Sequence, residues 1–236
     1  EKLRKKIGEE FFSHTADPYG NAGNTVLSLN AYGLIDIYVE EPEIGEDLFA
    51  TTELFERIHS ANGEEKKKIF ARHILINLEG MLLLKIIEDM KARGEKLTLE
   101  TLAYEFHELG IDIPANSTYI STMKSWLQEV NIFVGRYNIN WNNVEDLVRI
   151  DKDLVDDLYG LNREHKYYLL ALVNLGATEE MPSNKVASYV RSVFRIKITT
   201  KNLVKDILEP LKDLDLIETK KATTGRGAKP HLVKLS

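Results

Sequence analysis

The stretch that decides the fold runs from Thr199 to Leu235. It reads Thr199-Thr200-Lys201-Asn202-Leu203-Val204-Lys205-Asp206-Ile207-Leu208-Glu209-Pro210-Leu211, then Leu214-Asp215-Leu216-Ile217-Glu218-Thr219-Lys220, and after a tip it returns as His231-Leu232-Val233-Lys234-Leu235. Leu203, Val204, Ile207, Leu208 and Leu211 recur at three- and four-residue spacing, which predicts an amphipathic helix capped by Thr199 or Thr200. Leu214 to Lys220 alternates as a strand does. Thr223-Thr224-Gly225-Arg226-Gly227-Ala228-Lys229-Pro230 is a hairpin tip, and His231 to Leu235 is the returning strand.

Working outward, Ile196-Lys197-Ile198 is short and extended. Ser183 caps a helix from Asn184 to Phe194, with Val186, Tyr189, Val190 and Phe194 inward. Arg163 to Ala177 is helical from the spacing of Tyr167, Leu170, Ala171 and Leu175, and Gly176 and Pro182 close it. The middle of the chain repeats this order. A long apolar-periodic helix covers Ile74 to Lys91 and ends at Gly94. Thr98 caps Leu99 to Leu109, and Gly110 stops it. Asn116 or Ser117 caps Thr118 to Glu129, with Ile120, Met123, Trp126, Leu127 and Val130 inward. Ile132 to Ile139 reads as a short hairpin around Gly135-Arg136, and Asn142 to Tyr159 as a polar, acidic, helical connector.

The N-terminal part reads as the same unit without its front. Leu3 to Ser13 and Asn24 to Tyr32 are the second and third helices, Leu34 to Val39 is a strand, and Leu48-Phe49-Ala50 returns after an acidic loop. The expectation is therefore a piece of a longer protein. Three junctions align: Gly33-Leu34-Ile35, Asn131-Ile132-Phe133 and Asp215-Leu216-Ile217. Four residues before each stands Leu29, Leu127 or Leu211, and one before stands Tyr32, Val130 or Leu214. The leucine packs the third helix, and the turn residue lets the chain reverse into a strand.

On Thr199–Leu211 and the tip Gly225-Arg226-Gly227-Ala228-Lys229-Pro230, the chain resembles the tandem winged-helix DNA-binding proteins. The resemblance covers nearly the whole chain at the level of pattern. Arrays with long connectors are similar to the recognition domains of type IIS restriction endonucleases, and to some replication initiators and transcription regulators. It implies an α+β, mainly helical fold of tandem winged-helix units, each a helix-turn-helix plus a β-hairpin wing. Residues 1–60 form a first or partial unit, 65–150 a second, 151–162 a connector and 163–236 a third.

Composition bounds the function. The 236 residues carry 37 acidic and 31 basic side chains and no cysteine. That excludes disulfide scaffolds, thiolate catalysis and sulfur-ligated zinc. A chain of this size buries roughly 70% of its unfolded surface. The longest apolar runs, Met81–Leu84 and Tyr167–Val173, fall far short of the ~20 residues that span a bilayer. A soluble, cytoplasmic protein without a membrane partner is expected. The net charge of −6 hides a gradient: residues 1–60 carry five basic and twelve acidic side chains, whereas residues 182–236 carry twelve basic and five acidic. Such asymmetry hints at a polyanion, although a solvated charged face would look the same.

A recognition helix places its N-terminal residues against base edges in the major groove. In the last unit these are Thr199, Thr200, Lys201, Asn202 and Lys205, with Lys197 just before. Lysine reaches guanine or phosphate, and asparagine pairs with adenine. In the middle unit they are Ser117, Thr118, Tyr119, Ser121, Thr122 and Lys124, and in the first Asn24 and Ser28, with Asn21, Thr25 and Asn30 beside them. Ser, Thr and Asn at a helix start also serve simply as caps. The last wing is basic (Lys220, Lys221, Arg226, Lys229), the middle one carries Arg136, and the first holds Glu40, Glu41, Glu43, Glu46 and Asp47. The acidic wing is expected to face solvent, another domain or a protein partner.

Chemistry finds little support. No phosphate-binding glycine loop is present, and the six histidines lack metal-binding spacing, so no cofactor or metal is expected. His107 and His165 are expected at the surface or its boundary. Glu218-Thr219-Lys220, with Asp206, Asp213 or Asp215 upstream, has the residue types of a metal nuclease, but it is better explained as a wing strand. The expected partner is double-stranded DNA, with a winged-helix protein-interaction scaffold or a noncatalytic transcription or replication regulator as the alternative.

Overall fold

The computed structural model describes residues 2–39, 47–111, 118–177, 179–198, 202–221 and 231–236. It is mainly helical with small antiparallel sheets, and it divides into two compact units, Glu1–Phe70 and Ala71–Ser236.

In the first unit, α1 (Lys2–Phe11) and α2 (Pro18–Ala31) precede a hairpin of β1 (Ile35–Val39) and β2 (Asp47–Thr51), followed by α3 (Glu53–Ser60). The helix expected to begin at Asn24, as the third of its unit, begins at Pro18. Asp17 accepts from the Gly20 N–H at 2.8 Å, and Pro18 at the first helical position needs no donor partner. Ala22 and Val26 form its buried stripe.

Helix α4 (Gly63–Asn77) runs across the boundary, and α5 (Gly80–Ala92) follows at once. The single helix expected from Ile74 to Lys91 is thus two. Glu79 adopts a left-handed φ of 60°. A Cβ at Gly80 would lie 2.7 Å from the Ile74 carbonyl oxygen, so only glycine lets α5 begin this close to α4. Apolar residues on both sides of the break hide it from periodicity. Next come α6 (Leu99–Glu108), with a reciprocal Thr98–Thr101 cap, α7 (Thr118–Glu129), and the hairpin β3 (Phe133–Val134) and β4 (Asn138–Ile139). Ile120, Met123 and Leu127 are buried as expected, whereas Trp126 is 40% exposed, at the edge of the stripe. The connector is two helices, α8 (Trp141–Val148) and α9 (Lys152–Gly160), separated by left-handed Arg149.

The last part is built on α10 (Arg163–Asn174), whose residues Tyr168 to Val173 are all buried. A strand β5 (Met181–Pro182) then leads into α11 (Ser183–Val193). A π-helical stretch (Val204–Leu208) continues as α12 (Glu209–Asp213), and β6 (Ile217–Lys221) and β7 (His231–Leu235) close the chain. The sheet order is β5-β7-β6, all antiparallel. Strand β5 was not foreseen, because two residues ending in proline give no alternation to read.

The three aligned junctions share one backbone geometry. Gly33, Asn131 and Asp215 are left-handed, with φ of 68°, 58° and 56°. The following N–H returns to the leucine carbonyl: Leu34 to Leu29 at 2.9 Å, Ile132 to Leu127 at 3.0 Å and Leu216 to Leu211 at 3.0 Å. This six-to-one bond ends the helix and turns the chain outward. Ile35, Phe133 and Ile217 then start the strands, and all three are buried. They pair with Thr51, Ile139 and Leu235. The residue after each return strand closes the frame: Thr52 to the Leu34 carbonyl at 3.2 Å, Asn140 to Ile132 at 2.8 Å and Ser236 to Leu216 at 3.3 Å.

Candidate nucleic-acid interface

In the last part, Leu203, Ile207, Leu208 and Leu211 face the core, while Asn202 and Lys205 are exposed at the start of the helix. The π-helical turn has a chemical cause. Pro210 has no N–H to give the Asp206 carbonyl four residues earlier, and its ring crowds that oxygen. The turn widens, with the Glu209 N–H reaching the Val204 carbonyl. The released Asp206 carbonyl lies 2.7 Å from His165 Nε2. A carbonyl only accepts, so Nε2 carries the proton. His165, expected at the surface or its boundary, is buried at 9% exposure, and it braces the helix that presents Asn202 and Lys205. Its signal in the sequence lies forty-odd residues away, in Pro210.

The other expected contacts differ in placement. Lys197 is exposed and lines a cavity with Asn162, Glu164, Ile198, Asp206 and Ile207. Lys221 is exposed, but Lys220 is ion-paired with Glu180. Across the hairpin, Lys234 pairs with Glu218 at 3.0 Å. Glu218 is thus turned to a lysine, and among the described residues no group of three His, Asp or Glu side chains could hold a metal ion. Ser117, Thr199, Thr200, Lys201, Arg226 and Lys229 lie outside the described residues, as do Glu40, Glu41, Glu43 and Glu46.

On α7, Thr118 is exposed and Thr122 half-buried. The Tyr119 hydroxyl donates to the Leu78 carbonyl at 3.1 Å, which ties α7 to the end of α4. Ser121 Oγ donates back to the Thr118 carbonyl at 3.0 Å. Lys124 is half-buried, its Nζ 4.8 Å from the Tyr137 ring centroid and 5.9 Å from that of Phe133. The exposed Arg136 brings its guanidinium carbon to 5.5 Å from the same Tyr137 ring. Burial, and then the charge of Arg136, hold the Lys124 ammonium below its ordinary range.

On α2, Asn24 and Ser28 are exposed in the body of the helix, not at its start. Asn30 Nδ2 donates to the Ile35 carbonyl at 2.9 Å and so joins α2 to β1. Asn21 Nδ2 donates to Thr15 Oγ1 at 3.0 Å, and Thr25 Oγ1 to the Asn21 carbonyl at 2.9 Å. These polar groups serve local structure. Among the described residues no helix is long and apolar enough to cross a membrane. Comparison of the chain with protein-family models, with curated proteins and with solved structures gives no match.

Proposed function

We propose that this chain is a sequence-specific double-stranded DNA-binding module built from tandem winged-helix units, working within a larger protein such as a restriction endonuclease. The observation that carries the reading is the last part's order, helix, strand, helix, helix, strand, strand, with the sheet arranged β5-β7-β6. In this reading α12 and its π-helical start serve as the recognition helix, supported by the exposure of Asn202 and Lys205 and by His165 on the Asp206 carbonyl. Asn202 suits adenine and Lys205 suits guanine or a phosphate. The repeated hairpin frame offers further units along the duplex.

A protein-interaction scaffold is the second reading, favoured by the pairing of Lys220 and Lys234 with glutamates and by the net charge of −6. Selection from a pool of random duplexes separates the two. The DNA reading expects a convergent site, with an adenine preference that Asn202→Ala relaxes by about 1–3 kcal/mol. A pool that never converges supports the scaffold.

A further inference from the structure

The net-acidic middle of the chain holds two cations that, among the described residues, no carboxylate neutralises. Lys124 comes from α7 and Arg136 from the β3–β4 turn, and both converge on the ring of Tyr137. Tyr137 is 9% exposed, so its ring serves as a fixed shelf and has little face to offer a base. Among the described residues the charge that acts on Lys124 is that of Arg136, and it acts by repulsion. Among the described residues neither side chain forms an ion pair.

The turn that carries Arg136 is short. Only Gly135, Arg136 and Tyr137 separate the strands, Gly135 is left-handed at φ 73°, and Asn140 locks the base of the hairpin onto Ile132 at 2.8 Å. The backbone that carries the guanidinium is therefore held in place, and a ligand would order little main chain on binding. Two such donors beside one ring, mutually repelling and with Lys124 partly desolvated, are stabilised by an anion with several acceptor oxygens.

We propose that Lys124 and Arg136 together bind a backbone phosphate of the DNA, making the middle hairpin a sequence-independent anchor. This rests on the DNA-binding reading and goes beyond it by moving a principal phosphate contact away from the basic C-terminal stretch. The pair fixes register on the duplex, while Asn202 and Lys205 read bases.

The test uses the full chain and a fluorescent random-sequence duplex, titrated by anisotropy across a range of potassium chloride concentrations. Lys124→Met keeps the aliphatic packing on the rings and removes the charge; Arg136→Gln alters an exposed side chain and stands as the independent variant. Each is expected to weaken binding several-fold at about 0.1 M salt and to make the log–log salt slope shallower by about one. Lys124→Arg restores the slope, and Arg136→Gln melts at the wild-type temperature. Unchanged slopes in both variants, with wild-type binding intact, overturn the phosphate anchor and leave the DNA reading standing. A wild-type chain that does not bind the duplex overturns both.

Discussion

The hairpins at 133–139 and 217–235 have the same backbone beginning and end and opposite use of charge. Each leaves a helix through a left-handed non-glycine residue, Asn131 or Asp215, and buries the first strand residue, Phe133 or Ile217. The last hairpin belongs to the basic stretch, yet Lys220 is matched by Glu180 and Lys234 by Glu218. The middle hairpin belongs to an acidic stretch, yet Lys124 and Arg136 both lie against the Tyr137 ring. A polyanion responds to charge that remains after pairing, so formal charge along a chain is a poor guide to where it docks.

The comparison can be broken most sharply at the shared frame. Leu127 and Leu211 are both fully buried and both accept the junction bond. Leu127→Ala and Leu211→Ala should each cost about 2–5 kcal/mol by urea denaturation, through lost transfer energy and the cavity left behind. A cost below ~1 kcal/mol at either position would show that the junctions are alike in outline only. Leu29, half-buried at the first junction, should cost less than either.

The charge half of the comparison predicts a smaller effect. Glu180→Gln releases Lys220, and the salt slope of duplex binding should steepen by up to about one. Stability should change by less than ~1 kcal/mol, as for exposed ion pairs generally. An unchanged slope would mean that the ion pair does not silence this hairpin.

Much of this frame was legible because it depends on local rules. The leucine and turn residue at each junction carry a helix-ending motif that needs only neighbouring residues. The same bond also ends α5, α6 and α10, at Gly94, Gly110 and Gly176. The motif therefore announced helix ends, and the alternating residues after it announced the strands. The break at Glu79 was hidden because both flanks are apolar and the reason is a close backbone approach at Gly80. The start of α2 is written in Asp17-Pro18, a cap followed by a proline that suits the first helical turn.

The candidate interface was less legible, since its character depends on contacts far apart in sequence. Lys124 and Arg136 could be named from helix phase and hairpin position, but their shared shelf on Tyr137 could not. Tyr119 reads as an outward residue by helix phase, whereas its hydroxyl donates to the Leu78 carbonyl, 41 positions away. His165 looked peripheral because its partner is a carbonyl freed by Pro210. Pairing and bracing of this kind require the fold first.

The most direct measurement is the salt dependence of wild-type binding to a random-sequence duplex, read as log Kd against log salt. The account predicts a linear dependence corresponding to several released counterions, at about 0.9 per phosphate neutralised. A flat response, or no binding at low salt, would contradict it and leave the chain as a protein-binding scaffold.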